Sequence, residues 1–94
     1  MSEIKVIWTN QFKKDYKNAI KRNFDIDLLD DVILQLSKGK TLDLKYQDHQ
    51  LLGNFQSFRE CHIKPNWLLI YKIDKSKLIL VLSRTGSHSD LFGQ

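Results

Sequence analysis

The sequence contains few cysteine, proline and glycine residues, which are the residues that form disulfides or interrupt helices and strands. Cysteine occurs once, at Cys61, so no disulfide can form within the chain, and the reducing cytoplasm is the simpler setting. Proline also occurs once and glycine four times, and no low-complexity tract, repeat or linker interrupts the chain. We therefore expect residues 1–94 to form one domain.

Long apolar runs are also missing. Residues 1–16 carry a charged side chain every few positions, which favours neither a secretory signal nor a membrane span. What the chain has in excess is positive charge, with 15 Lys and Arg against 11 Asp and Glu. A basic surface attracts polyanions such as nucleic acids, or acidic proteins, although net charge alone selects none of them.

The first half of the chain predicts a strand and two helices. Residues 4–8 form a short apolar stretch rich in β-branched residues, which predicts a strand, and Thr9 or Asn10 then offers a helix N-cap. Apolar residues follow at helical spacing, and they do so again from Asp25 or Asp27 to a stop at Lys38 and Gly39. We expect a helical hairpin whose first helix turns its lysines to solvent or to RNA.

The second half predicts a sheet. After a long connection over residues 40–54, the ranges 55–64, 67–73 and 78–84 have the composition of strands separated by turns. Ser87 and Asp90 have the spacing of a capping box, which predicts a short helical turn in the tail. The expected fold is an α+β domain of order β-α-α-β-β-β plus this turn, with the hairpin packed on a twisted antiparallel sheet.

Three histidines stand at structural edges of this plan: His49 in the connection, His62 near a strand end and His88 in the tail turn. Imidazole is the side chain best suited to proton transfer near neutral pH. RNA supplies its own nucleophile, the 2′-OH, so an RNA-cutting enzyme needs a base, an acid and cations near the phosphate. The histidines together with Arg84, Arg59 or Lys64 would supply that set.

Other chemistries fit the residues less well. Cys61 and His62 are adjacent, so on a strand they point to opposite faces and do not share one metal ion. No zinc-type spacing and no carboxylate cluster occurs, and we expect neither a metal nor another cofactor. Cys61 is expected in the core rather than as a nucleophile. Asp48 and His49 form either an acid–base pair or a turn capped by Asp48.

Three segments together resemble the RelE/ParE superfamily of toxin–antitoxin toxins, and specifically its YafQ-like branch. They are residues 46–51 (YQDHQL) with Gly53, residues 58–71 (FRECHIKPNWLLIY) and residues 84–92 (RTGSHSDLF). The resemblance implies a cytoplasmic toxin that cleaves mRNA, typically on the ribosome. It also implies a cognate antitoxin that blocks the toxin, with operator DNA bound only through their complex and no membrane partner.

The resemblance also implies roles for residues. His88 corresponds to the chief candidate for general acid, His49 and His62 to candidates for the base, and Arg84 to the strand-end arginine that would stabilise the phosphate. We expect the RNA to be bound by a further set of residues. These are Arg59, Lys64, Asn66, Trp67 and Phe92.

Several of these positions admit a second interpretation. Many relatives have aspartate where this chain has Asn66, and an amide cannot act as a base at neutral pH. Asn66 would instead position RNA or a neighbouring imidazole. Trp67 belongs either to the core or to a base-stacking surface, and Phe92 either anchors the tail or stacks on a base. The alternative functions are a ParE-like toxin directed at DNA gyrase and an RNA-binding module without catalysis.

Overall fold

The first part of the fold is a strand followed by two helices. The computed structural model describes residues 4–93, with strand β1 at Lys5–Trp8, helix α1 at Asn10–Lys21 and helix α2 at Ile26–Ser37. Thr9 caps α1, because its hydroxyl accepts a hydrogen bond from the Phe12 N–H at 3.0 Å. Lys38 is the C-cap of α2, and Gly39 follows in the left-handed conformation with φ of 74°, so the helix stops where expected.

The sheet has five strands in the order β1-β5-β4-β3-β2. β2 is the short segment His49–Gln50, and β3, β4 and β5 are Arg59–Lys64, Trp67–Asp74 and Ile79–Gly86. Short 3₁₀ turns at Leu44–Tyr46 and Gly53–Phe55 shape the connection around β2. The tail forms the short helix α3 at His88–Phe92, where the expected capping box is present.

The α+β class and the helical hairpin are confirmed, but the sheet is mixed rather than wholly antiparallel. β1 pairs in parallel with β5, with Val6 opposite Leu80, whereas β2 to β5 pair antiparallel as a meander. The first meander strand begins at Arg59 rather than at residue 55, because residues 53–55 form a 3₁₀ turn. β1 therefore ties the N-terminal segment to the last strand.

The core lies between the helices and one face of the sheet. Its fully buried members include Phe12, Leu29 and Leu82, and Cys61 is buried there as expected. Burial raises the pKa of the Cys61 thiol, so this thiol stays protonated and unreactive. Among the described residues no helix is both long and apolar enough to cross a membrane.

Candidate active site

The three histidines lie in a row on the sheet face opposite the core. Antiparallel pairing sets His49 of β2 beside Glu60 of β3, and α3 brings His88 back over the end of β3. The ring centroids of His49 and His62 are 6.4 Å apart, and those of His62 and His88 are 6.0 Å apart. The expected convergence of the imidazoles on one surface is therefore found, with His62 in the middle.

Glu60 is a member of this group that sequence reasoning missed as a site residue. Its Oε1 lies 3.4 Å from Nε2 of His62 and 3.8 Å from Nε2 of His49, and the residue is only 7% exposed. Glu60 precedes His62 by two positions, so strand alternation places both side chains on one face. That spacing was a usable signal, because an acid on a histidine-bearing strand face needs a polar partner.

The Nδ1 atoms of His49 and His62 each contact a backbone carbonyl oxygen. Nδ1 of His49 is 2.8 Å from the Gln47 carbonyl oxygen, and Nδ1 of His62 is 3.3 Å from that of Pro65. A carbonyl only accepts, so each Nδ1 carries the hydrogen and each Nε2 faces Glu60. A hydrogen bond to Glu60 then needs one further proton on the imidazole or on the carboxyl group. His49, Glu60 and His62 thus lie together as one cluster of polar side chains.

His88 is oriented separately from this group. The Asn66 side-chain oxygen lies 2.8 Å from Nδ1 of His88 and also accepts its backbone N–H at 3.1 Å. Nδ1 donates to this amide oxygen, and Nε2, on the opposite edge of the His88 ring, takes no part in the hydrogen bond. Asn66 therefore fixes a neighbouring imidazole, which is one of the two roles expected for it.

Arg84 is held on the neighbouring surface rather than beside the imidazoles. Its Nε and Nη2 atoms donate to the Asp15 carboxylate at 2.8 and 3.2 Å, and the Thr85 N–H donates to the same carboxylate at 3.1 Å. The hydrogen bonds to Asp15 raise the pKa of Arg84. A cleft of about 440 Å³ adjoins this ion pair. Among the described residues, its lining includes Arg84 and Arg22 but none of the histidines.

Two of the residues expected to bind RNA have other partners. Trp67 is 4% exposed, its indole N–H donates to the Thr85 hydroxyl at 3.0 Å, and its ring packs 5.0 Å from that of Phe24. The base-stacking interpretation of Trp67 is therefore wrong, because the ring belongs to the core. Arg59 donates through Nε and Nη2 to the Asp48 carboxylate at 3.2–3.3 Å, so its charge is already paired.

Other cations and an exposed ring remain near the row. Lys45 and Lys64 are exposed and, together with His62, line a cleft of about 390 Å³. Phe92 at the end of α3 is 38% exposed. Among residues 4–93, no group of three or more His, Cys, Asp or Glu side chains has an arrangement that holds a metal ion.

Comparison with known proteins relates the whole described fold to one group of toxins. A family model described as the bacterial toxin YafQ of type II toxin–antitoxin systems matches residues 4–93. The mRNA interferase toxin YafQ of Escherichia coli K12 is 39% identical over 88 residues, which cover 92% of each chain.

Solved structures agree with that relation. The structure resembles E. coli YafQ in its complex with the antitoxin DinJ, with a TM-score of 0.88 and 36% identity over 95% of this chain and 97% of that one. A copper-bound variant of a Helicobacter pylori toxin is also similar, with a TM-score of 0.88 and 43% identity over 95% of this chain and 99% of that one.

Proposed function

This chain belongs to the YafQ family of type II toxin–antitoxin toxins, and we propose that it is a cytoplasmic endoribonuclease that cleaves mRNA on the ribosome. The E. coli relative is named an mRNA interferase. The observation that supports the same activity here is the row of three imidazoles with Glu60 between two of them. Such a row offers a proton acceptor and a proton donor on neighbouring side chains, which is what 2′-OH attack requires.

The proposed reaction starts at the 2′-OH of the RNA. Nε2 of His49 or of His62, the ring nitrogen that carries no hydrogen, takes the 2′-OH proton as the 2′ oxygen attacks the adjacent phosphorus. His88 reacts as the imidazolium, which carries a hydrogen on both ring nitrogens. It gives the Nε2 proton to the 5′ oxygen as the bond from phosphorus to that oxygen breaks, and it keeps the Nδ1 hydrogen that contacts Asn66. One product ends in a 2′,3′-cyclic phosphate, which water can open to a 3′-phosphate, and the other begins with a free 5′-OH.

The spacing suits this division of labour. The His62 and His88 ring centroids are 6.0 Å apart, and general catalysts act at hydrogen-bond distance, about 3 Å, from the oxygens they serve. A phosphate between the two rings would have its attacking and leaving oxygens near different imidazoles. Lys45 and Lys64 would bind neighbouring phosphates, and Phe92 would stack on a base. Arg84 would stabilise the phosphorane charge if its guanidinium left Asp15 and turned toward the row.

The test compares cleavage of a defined mRNA on translating ribosomes by the parent protein and by His88→Ala. We expect the variant to lose about 10²–10⁴-fold in the cleavage rate while binding ribosomes as the parent does. Lys75→Ala is the matched control, because Lys75 is exposed in the β4–β5 turn, and it should cleave normally. Full activity in His88→Ala would remove His88 from the mechanism, and 5′-phosphate products would contradict attack by the 2′-OH.

The proposed chemistry needs no metal ion, although a related toxin has been solved with copper bound. The same assay with a chelator selective for transition metals, and with Mg²⁺ left in place for the ribosome, separates the two chemistries. Cleavage that continues in the chelator supports the histidine mechanism. Cleavage that stops and returns with copper would overturn it.

The same cleavage assay also tests the alternative of an RNA-binding module without catalysis. Salt-sensitive RNA binding without cleavage products would support that alternative.

The second part of the proposal is a cognate antitoxin. E. coli YafQ has been solved in complex with DinJ, and this chain exposes apolar side chains on the connection around β2, where Leu44 is 93% and Leu52 87% exposed. Large apolar side chains that are exposed to this degree are available for contact with a partner protein. We expect the product of an adjacent small gene to bind the toxin and stop cleavage, and operator DNA to bind only that complex. Failure of the two proteins to associate would contradict this part.

A further inference from the structure

His49 depends on a very short piece of sheet. β2 has two residues, which pair with Glu60 and Arg59 of β3. Two residues of pairing at a sheet edge offset little of the backbone entropy lost on ordering. The His49 side chain is itself about half exposed, so its own packing does not fix the ring. A side-chain contact to the interior of the sheet would therefore add to the hold on this segment, where His49 lies beside Glu60.

The residue before His49 makes that contact. The Asp48 carboxylate accepts the Tyr71 hydroxyl at 2.6 Å and the Arg59 guanidinium at 3.2–3.3 Å. Arg59 and Tyr71 are cross-strand neighbours on β3 and β4, and Tyr71 is only 1% exposed. Asp48 is thus fastened to the rigid centre of the sheet rather than to another part of the connection.

The residue before Asp48 is constrained as well. Gln47 adopts the left-handed conformation with φ of 49°, and its carbonyl oxygen accepts from Nδ1 of His49 at 2.8 Å. That contact occupies the ring nitrogen which an Asp48–His49 acid–base pair would use. The Asp48 carboxylate points instead to Arg59 and Tyr71. Asp48 therefore acts on His49 through the backbone.

We propose, on the basis of the function given above, that Asp48 is a positioning residue which Arg59 and Tyr71 hold so that Nε2 of His49 faces Glu60. Arg59 is thereby a support for the site and not a contact for RNA. Burial and the hydrogen bond to Asp48 raise the pKa of Tyr71, so the hydroxyl remains a donor throughout the neutral range. The Asp48 anchor, consisting of Asp48, Arg59 and Tyr71, has no direct contact with the reacting phosphate in the proposed reaction.

The chain contains a matched control for this anchor. On the helical side, the Tyr16 hydroxyl donates to the Asp30 carboxylate at 2.7 Å, which joins α1 to α2. Tyr71→Phe and Tyr16→Phe each remove one tyrosine hydroxyl from an aspartate. Asp48→Asn and Asp30→Asn each remove one negative charge. Only the first member of each pair touches the segment that carries His49.

The experiment measures cleavage kinetics and the ring resonances of all three histidines. Tyr71→Phe and Asp48→Asn should lower kcat about 10- to 100-fold, because small displacements of a catalytic group have costs of that size, and leave KM unchanged. The His49 resonances should move while those of His88 stay in place. Tyr16→Phe and Asp30→Asn should leave both kcat and the His49 resonances as in the parent.

Several results would overturn the proposal. One is a folded Asp48→Asn protein with parent-like kcat and parent-like His49 resonances. Another is an equal loss of kcat in both aspartate variants, which would mean that the anchor only stabilises the fold. If Asp48→Asn fails to fold, Tyr71→Phe decides, because phenylalanine fills the same buried space. The resonances do not depend on activity, so a moved His49 signal supports the anchor even if His88→Ala disproves the proposed reaction.

Discussion

The two faces of the sheet are built from the same strands for different purposes. On β3, Cys61 and Ile63 point into the core beneath the helices, while Glu60 and His62 point to the opposite face and meet each other at 3.4 Å. Alternation along one strand therefore separates the residues that stabilise the fold from those proposed to do chemistry. Outside the Asp48 anchor, whose Tyr71 lies in the core but supports His49, the face on which a residue lies then predicts whether its loss lowers stability or activity.

The largest expected effect lies on the helical face. Phe12 is fully buried, with its ring 4.9 Å from that of Trp8. Phe12→Ala should lower the free energy of unfolding by about 3–5 kcal/mol, measured by urea denaturation. Phe12→Leu keeps more of the volume and should lose less. Both variants should cleave RNA normally per folded molecule, and a catalytic defect without loss of stability would break the separation of the two faces.

Loss of activity without loss of stability is expected when Asn66 is replaced. Asn66 is exposed and orients His88. Asn66→Ala removes the acceptor of both the His88 ring and its backbone N–H. The melting temperature should change little, whereas kcat should fall by about 10- to 100-fold as His88 loses its orientation.

Asn66→Asp provides the matched variant. The carboxylate keeps an oxygen for His88 to donate to. Its kcat should therefore stay close to that of the parent. A kcat that falls as far in Asn66→Asp as in Asn66→Ala would show that orientation of His88 is not what Asn66 contributes.

The two faces also differ in how well the sequence predicts them. The helices, the turn at Gly39 and the Ser87–Asp90 capping box follow from local spacing, and all are present. The parallel pairing of β1 with β5 does not follow from local spacing. The two strands lie more than 70 residues apart, and neither carries a sequence signal that identifies its partner. The ion pair of Arg84 could not be predicted for the same reason, since its partner Asp15 is 69 positions away.

The candidate site was only partly predictable for a related reason. The matched segments single out His49, His62 and His88, which the fold does bring together. The spacing of Glu60 and His62 does place both on one strand face, but the sequence does not show that His49 lies across from Glu60, because a pairing register is not visible in it. The sequence does not decide between core and surface for Trp67, because composition does not show which strand faces are covered. Its burial follows from packing against Phe24.

A smaller effect should appear where the two faces meet, at the cap of α3. The Ser87 hydroxyl accepts from the Asp90 N–H at 3.1 Å, and the Asp90 carboxylate accepts from the Ser87 N–H at 2.8 Å. Ser87→Ala should cost about 1 kcal/mol of local stability, seen as faster hydrogen exchange in α3 and a modest loss of kcat. Protection in β3 and β4 serves as the internal control. Unchanged exchange in α3 would mean that Asp90 and its ion pair with Arg22 hold the helix without the cap.

The smallest effect concerns alkaline pH and tests the helical face alone. Burial, and then the hydrogen bond to Asp30, raise the pKa of Tyr16 to about 12, against about 10 in an unfolded chain. Between those values the unfolded state loses the proton first, so stability falls as pH rises from about 10 toward 12. Tyr16→Phe should flatten this decline without abolishing it, because the Tyr71 pKa is raised in the same direction. Melting temperatures at about pH 9 and about pH 11 measure the difference. Equal declines in parent and variant would show that Tyr16 contributes nothing, while the His49 and His88 resonances should be the same in both proteins.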